Sequence, residues 1–190
     1  MNTYPESQHA VGQGRPQFLK LISNSASITL GIVLVAIGLM VPCAKAQTPI
    51  SMADTNFILA AAQGGMTEVK LGELASTSGM RADVKEFGQM MVKDHTTIND
   101  DMKALAAQKG VTLPGSLDAK HQARVDKMSA LFGAAFDDAY IAGMIKAHKM
   151  DAQAFKAEAA ATQDADIKGF LDKSIPVVEA HLQHITAMKK

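Results

Sequence analysis

Residues 81–110, RADVKEFGQMMVKDHTTINDDMKALAAQKG, decide the fold. At about 100° per residue, the apolar side chains of this stretch and one histidine fall on a single stripe. The stripe comprises Val84, Phe87, Met91, His95, Ile98, Met102 and Leu105. This spacing predicts an amphipathic helix of about eight turns. His95 then lies in the middle of the buried face, and Asp94 lies at the edge of that face.

The rest of the chain predicts three more long helices and one short connecting helix. The long helices are expected over about 54–77 and 136–162 and from about 164 onward, and the short one over about 117–132. Asp54 and Ser116 are the predicted N-caps of the first long helix and of the short helix. Pro176 predicts a kink or a restart in the last helix. No alternating apolar pattern of any length occurs, so no sheet is expected.

An internal echo indicates that the long helices pair as two hairpins. Residues 82–87, ADVKEF, open the second long helix, and residues 165–170, ADIKGF, open the fourth. Two such hairpins, joined by the connection over 110–135, predict an all-α fold. The expected architecture is a ferritin-like four-helix bundle with a crossover helix between two antiparallel hairpins.

The beginning of the chain has the pattern of a secretory leader. Residues 28–41 are 14 apolar residues without a charge, fewer than the roughly 20 that span a bilayer as a helix. Ala44-Lys45-Ala46 is a small-x-small cleavage site. The predicted organisation is a signal peptide over 1–46, a linker over 47–53 and the bundle domain over 54–190. The predicted location is the periplasm or cell envelope; an uncleaved membrane anchor and lipid attachment at Cys43 are the alternatives.

Composition excludes several classes of function. Residues 47–190 contain 16 basic and 18 acidic side chains, so no basic surface for nucleic acid is expected. The same residues contain no cysteine, and their serines fall at predicted caps, turns and helix ends. No catalytic residue is therefore assigned.

Each long helix carries one polar residue on its apolar stripe. These four residues are Glu68, His95, His148 and His181. Imidazole and carboxylate groups are common ligands of first-row transition metals, and bundles of this kind build metal sites from inward-facing side chains. The four are therefore the candidate ligands of an iron, manganese, zinc or copper ion. Asp94 and Asp137 are the candidate acceptors that orient the imidazoles.

The candidate site departs from a standard di-iron centre. The three histidines lack the glutamate that a Glu-x-x-His motif requires, since the third residue before each is Val92, Ile145 or Val178. Counting residues from the predicted turns places His148 and His181 about 4–5 Å apart along the bundle axis. Glu68 and His95 differ by about 7 Å on the same measure, so Glu68 fits the site less well.

The residues of these helices resemble those of a known family. The resemblance rests on residues 57–75, on 84–95 with the Asp94-His95 pair, on Phe136-Asp137-x-x-Tyr140 with the later His148, and on Pro176 with His181-Leu182. It extends over nearly all of 54–190 and is to the bacterial exported family called domain of unknown function 4142. The resemblance implies a ferritin-like bundle in an exported protein, and it supplies no established activity.

Two hypotheses of function follow. The first is a non-enzymatic envelope protein that acts through its surface in stress tolerance or assembly, with an envelope protein or a second copy of itself as partner. The alternative is a metal-binding or redox protein that uses His95, His148 and His181, with Glu68. If the histidines form a site, their ring nitrogens should approach to within about 4–5 Å. If they are core residues, each should have its own partner, such as Asp94, Asp137, Asp151 or a buried water.

Overall fold

The computed structural model describes residues 50–189. The predicted signal peptide, its cleavage site and residues 47–49 of the predicted linker lie outside this range. Within it the elements are five helices without a strand: α1 (Met52–Ser78), α2 (Ala82–Lys109), α3 (Ala119–Ser129), α4 (Gly133–Ala161) and α5 (Ala165–Ala187). None of the helices in residues 50–189 is both long and apolar enough to cross a membrane.

The helices form the predicted bundle. α1 packs most extensively against α2, and α4 against α5, while the short α3 crosses between the hairpins and contacts α1 and α4. Glycines allow the first hairpin to close tightly. A Cβ atom at Gly88 would lie 2.7 Å from the backbone oxygen of Gly72 and 2.7 Å from the backbone nitrogen of Ser76, so only a residue without a side chain fits there. The all-α, ferritin-like prediction is confirmed.

The two echoed segments occupy equivalent places. Ala82 is the first residue of α2 and Ala165 is the first residue of α5. Phe87 and Phe170, the aromatic residues of the two segments, are 0% and 6% exposed. Both face the core, as the duplicated hairpin predicts.

Three local predictions are corrected by the structure. Ser51, and not Asp54, caps α1, because the Ser51 hydroxyl oxygen accepts a hydrogen bond from the Asp54 backbone at 3.0 Å. Asp118, and not Ser116, caps α3, since its carboxylate accepts from the His121 backbone at 2.8 Å. The expected restart at Pro176 is wrong: α5 is one continuous helix from Ala165 to Ala187.

Polar contacts fasten both ends of the bundle. At one end, the buried Asp137 carboxylate of α4 accepts hydrogen bonds from the backbone N–H groups of Met80 and Arg81, at 3.0 and 2.8 Å. These N–H groups belong to the turn that opens α2, where they have no partner within the helix. At the other end, Lys109 of α2 pairs with Asp164, the N-cap of α5, at 2.6 Å.

The apolar core is divided into two clusters. One contains Phe87, Met91, Tyr140 and Met144 at the end of the bundle near the α1–α2 turn. The other contains Met102, Phe155, Phe170 and Val178 at the opposite end. Between them lies the polar layer, which we define as Glu68, His95, His148 and His181. All four of its side chains are buried, at 5% exposure or less.

Candidate metal centre

Three helices bring the three predicted histidines together. His95 comes from α2, His148 from α4 and His181 from α5. Their ring centroids are 5.3 to 5.7 Å apart in all three pairs. One ligand nitrogen from each ring lies within 4.8 Å of the other two. The histidines therefore meet as a group, which we call the histidine trio, at the separation expected of a site.

Each member of the trio keeps one buried ring nitrogen without a hydrogen-bond partner in residues 50–189. These nitrogens are Nε2 of His95, Nε2 of His148 and Nδ1 of His181. Two rings are oriented by a contact at the other nitrogen. Nδ1 of His148 lies 3.0 Å from the Met144 carbonyl oxygen, to which it donates. Nε2 of His181 lies 3.0 Å from the Asp94 carboxylate. Both contacts place the proton on the bonded nitrogen and leave the lone pair on the other nitrogen of the ring.

Burial keeps the three rings neutral near pH 7. Desolvation lowers the pKa of His95 well below its usual value, and the neighbouring His148 and His181 lower it further. Burial likewise lowers the pKa of His148 to about 4. For His181, burial lowers the pKa although the Asp94 carboxylate acts in the opposite direction. A neutral imidazole is the form that binds a metal, so the trio is in its ligating state at neutral pH.

The geometry of the trio suits one metal ion. Three nitrogens bound at about 2.0–2.1 Å in a trigonal arrangement are about 3.5 Å apart. The limit of 4.8 Å in this structure exceeds that separation by about 1.3 Å. Asp94 stands where an orienting acceptor of a metal-bound histidine is needed, in line with its predicted role.

Glu68 shares the layer but stands apart from the trio. It is not in the group of ligand atoms that lie within 4.8 Å of one another. Its Oε1 atom faces Arg124 Nη1 of α3 at 3.6 Å, and Oε2 has no hydrogen-bond partner in the described residues. Burial raises the pKa of Glu68 to about 7; Arg124 opposes this rise and Asp151 adds to it. Burial also raises the pKa of Asp151, to about 6.

Asp137 does not take its predicted place beside the histidines. Both of its carboxylate oxygens accept backbone hydrogen bonds at the α1–α2 turn. Asp137 and His148 are both buried on α4, with ten residues between them. The role of Asp137 in this structure is to cap α2, and the prediction of an imidazole contact is corrected accordingly.

The sequence reasoning missed Arg124 and Tyr140. Arg124 precedes the buried Val125 in the short α3 and reaches Glu68 from outside the four-helix core. Tyr140 has a buried hydroxyl without a hydrogen-bond partner in the described part of the chain, and its pKa is raised by burial and by Glu68. The only sequence signal for Arg124 was its place next to an apolar α3 position. Its partner depends on how α3 crosses the bundle.

Comparison with solved structures shows the same fold. A crystal structure of a DUF305 fragment from Deinococcus radiodurans is similar, with a TM-score of 0.65 and 11% identity, over 74% of this chain and 97% of that chain. CopM in its Cu(I)-bound form is similar with a TM-score of 0.60 and 17% identity, over 71% of this chain and 94% of that chain. CopM in an Ag-bound form gives 0.58 and 18%, over 71% and 93%.

Sequence comparison gives a match to a family model and none to a curated protein. The model of the family described as domain of unknown function, DUF4142, matches residues 39–188. Since that match extends over most of the sequence, the chain belongs to the DUF4142 family.

Proposed function

We propose that this protein binds one copper ion, as Cu(I), through His95, His148 and His181. The observation that carries the proposal is the meeting of three buried histidines that each bring one ligand nitrogen within 4.8 Å of the other two. Each ring also has one buried nitrogen without a hydrogen-bond partner in residues 50–189. An unsatisfied buried polar atom lowers the free energy of unfolding by about 1–3 kcal/mol, and here three such atoms occur in one cluster of rings. A cation coordinated by these three nitrogens would satisfy all of them together.

The charge of the site favours a monovalent ion. The trio supplies three neutral ligands, and the nearest hydrogen-bonded charge is the Asp94 carboxylate behind His181. Cu(I) adds one positive charge among the three neutral rings, whereas a divalent ion adds two, in a layer with apolar clusters on both sides. Burying an unbalanced charge costs several kcal/mol. Imidazole is a good ligand for copper, and the similar fold of CopM occurs in Cu(I)-bound and Ag-bound forms.

The proposed setting is the cell envelope. The leader over 1–46 has the apolar run and small-x-small site of a secretory signal, and export would bring the domain to a compartment where metal concentrations are less tightly controlled. The protein then acts by holding copper within the bundle, away from solvent. This is a binding role in metal stress, and it needs no catalytic residue.

Anaerobic titration of the purified chain with Cu(I) against a chromophoric Cu(I) chelator tests the proposal. The expected result is one ion per chain. Single His95→Ala, His148→Ala and His181→Ala substitutions should each weaken binding by about a hundredfold or more, since a three-ligand site loses a third of its donors. His121→Ala is the matched control, because that ring pairs with Asp118 on the short α3, at 2.8 Å, and is not in the trio.

Three outcomes would contradict this function. Equal retention of Cu(I) by the trio variants and by the His121 variant would place copper elsewhere on the chain. Tighter binding of zinc than of Cu(I) under the same competition would show that ligand number, and not ion charge, determines selectivity. Absence of any metal binding would favour the other hypothesis, a non-enzymatic envelope protein that acts through its surface.

A further inference from the structure

A second feature of the polar layer is a cavity beside Glu68. It has a volume of about 120 Å³ and is bordered by α1, α2, α4 and α5. Phe57, Phe155, Phe170 and Met102 are among the apolar residues of its wall, and Glu68, Asp151 and His95 are among the polar ones. The cavity therefore has a mostly apolar, partly aromatic body with carboxylates and an imidazole set into it. A site of this composition suits a small amphipathic molecule.

Small residues on α1 hold the cavity open. Ala60, Ala61, Gly64 and Gly65 contribute to its wall. A Cβ atom at Gly64 would meet no heavy atom within 4 Å in the part of the chain that the structure describes. A larger side chain at this position would thus enter empty space. Natural cores rarely leave room of this size, which makes the opening a candidate binding site.

The polar part of the cavity wall has more acidic than basic groups, and one of its oxygens lacks a hydrogen-bond donor in the described residues. The carboxylates of Glu68 and Asp151 are balanced by one guanidinium, Arg124, and the closest Glu68–Arg124 approach is 3.6 Å. Glu68 is 2% exposed, and its Oε2 has no hydrogen-bond partner among residues 50–189. A donor or cation placed beside Glu68 in the cavity would offset the charge of its carboxylate, and an anion would be repelled.

A metal ion is a poor match for this cavity. Glu68 and Asp151 do not belong to any group of three His, Cys, Asp or Glu ligand atoms within 4.8 Å in residues 50–189. The aromatic part of the wall supplies no ligand atoms, and it does supply apolar surface. Phe155 packs edge-on against Phe57 with ring centroids 5.4 Å apart and lies 6.3 Å from Phe170. An occupant with a carbon body is therefore favoured over a bare ion.

We propose that the cavity binds a small organic cation, a primary alkylammonium whose head contacts Glu68 and whose carbon chain lies against Phe57, Phe155 and Phe170. By proportion to a cavity of about 150 Å³ that holds benzene in another protein, the space admits about five non-hydrogen atoms. n-Butylammonium has that size. This proposal does not rest on the metal proposal, because recognition uses Glu68 and the aromatic wall and needs no bound metal, although His95 borders both sites.

Calorimetric titration of the metal-free full chain with three probes of equal length tests the inference. The probes are n-butylammonium, n-butanol and butyrate. Saturable binding of one n-butylammonium per chain is expected, with n-butanol about tenfold weaker or more and butyrate not bound. Glu68→Gln keeps the shape of the side chain and removes its charge, so it should weaken n-butylammonium by about tenfold and leave n-butanol unchanged.

A matched pair of leucine variants tests the location. Gly64→Leu should abolish binding of n-butylammonium by filling the cavity. Gly169→Leu is the control: it is also a half-buried helix position where a Cβ meets nothing within 4 Å in the described residues, and it does not line the cavity. Helicity of both variants is checked by circular dichroism.

Each contradicting result of these titrations bears on a different part of the inference. Equal affinities for the ammonium and the alcohol would overturn charge recognition by Glu68, and equal binding by the two leucine variants would overturn the location. Absence of saturable binding by any probe would mean that the cavity holds only water. None of these results bears on Cu(I) binding at the trio, which is measured separately and without these probes.

Discussion

The two sides of the polar layer deal with buried polarity in opposite ways. The histidine trio is neutral: burial has lowered the pKa of all three rings, and each ring has one buried nitrogen without a hydrogen-bond partner in residues 50–189. The carboxylate side, which we define as Glu68, Asp151 and Arg124, combines one guanidinium with two carboxyl groups whose pKa values are raised by burial. A neutral cluster of donors attracts a metal by coordination, and an acidic cluster attracts a cation by charge and hydrogen bonding.

The comparison also explains why one fold can hold both features. The trio is supplied by α2, α4 and α5, whereas Glu68 is supplied by α1 and its ion pair by α3. Asp151 of the carboxylate side comes from α4, which also supplies His148, so the two sides share α4 and differ in α1 and α3. A change in the position of α1 should affect the carboxylate side first, and a change at the α4–α5 hairpin should affect the trio first.

The largest expected effect comes from separating α1 from α2. Gly88→Ala places a methyl group 2.7 Å from backbone atoms of α1, which cannot rotate away, so we expect a loss of about 3 kcal/mol in the free energy of unfolding. Gly64→Ala is the control and should gain about 0.5–1 kcal/mol from helix propensity. Urea denaturation measures both. Cu(I) affinity should change by less than about threefold in Gly88→Ala; a parallel collapse of affinity would show that the two sides are not independent.

The pH dependence of stability should have opposite signs on the two sides. The folded pKa of His148, about 4, lies below its unfolded value of 6.5, so the unfolded chain binds more protons between these values. The stabilisation that neutral His148 contributes is present above pH 6.5 and is lost as the pH falls toward 4. At pH 5 this loss lowers the free energy of unfolding by about 2 kcal/mol. In His148→Gln, the free energy of unfolding measured by urea denaturation should fall less between pH 8 and pH 5 than in the wild-type protein.

Glu68 should act in the reverse direction. Its folded pKa of about 7 lies above the unfolded 4.5, so its contribution is fully present below pH 4.5 and is lost as the pH rises through 7. The difference between pH 5 and pH 8 is about 2.5 kcal/mol. Glu68→Gln should therefore make the acid loss steeper than in the wild-type protein. Identical pH profiles of the two glutamine variants would remove the distinction between the sides.

The smallest expected effect is on the contact that orients the trio. Asp94→Asn removes the charge that accepts from His181 Nε2 and should weaken Cu(I) binding by about tenfold, a typical loss for an orienting partner of a metal ligand. Asp137→Asn is the comparison, since this carboxylate caps α2 and is not hydrogen-bonded to the trio. It should lower stability and leave Cu(I) affinity unchanged. The reverse pattern would reinstate the sequence-based role of Asp137.

Helical periodicity alone predicts that His95, His148 and His181 face the core, and axial counting predicts that His148 and His181 lie at a similar level. The same counting gave Glu68 the larger offset, and the structure keeps it out of the trio. Partners were predicted poorly. Asp137 lies on the inner face of α4, but the N–H groups that donate to it belong to the α1–α2 turn. Arg124 reaches Glu68 only because α3 crosses at that height. Such contacts depend on tertiary placement, which a helical period does not encode.

X-ray absorption at the copper edge of the Cu(I)-loaded chain tests the central claim most directly. If the trio is the metal centre, the spectrum should show about three nitrogen ligands near 2.0 Å with the outer-shell scattering of imidazole rings. That signal should be lost in His148→Ala and retained in Glu68→Gln. A first shell dominated by sulfur at about 2.3 Å, or by carboxylate oxygen that disappears in Glu68→Gln, would contradict a copper site built from His95, His148 and His181.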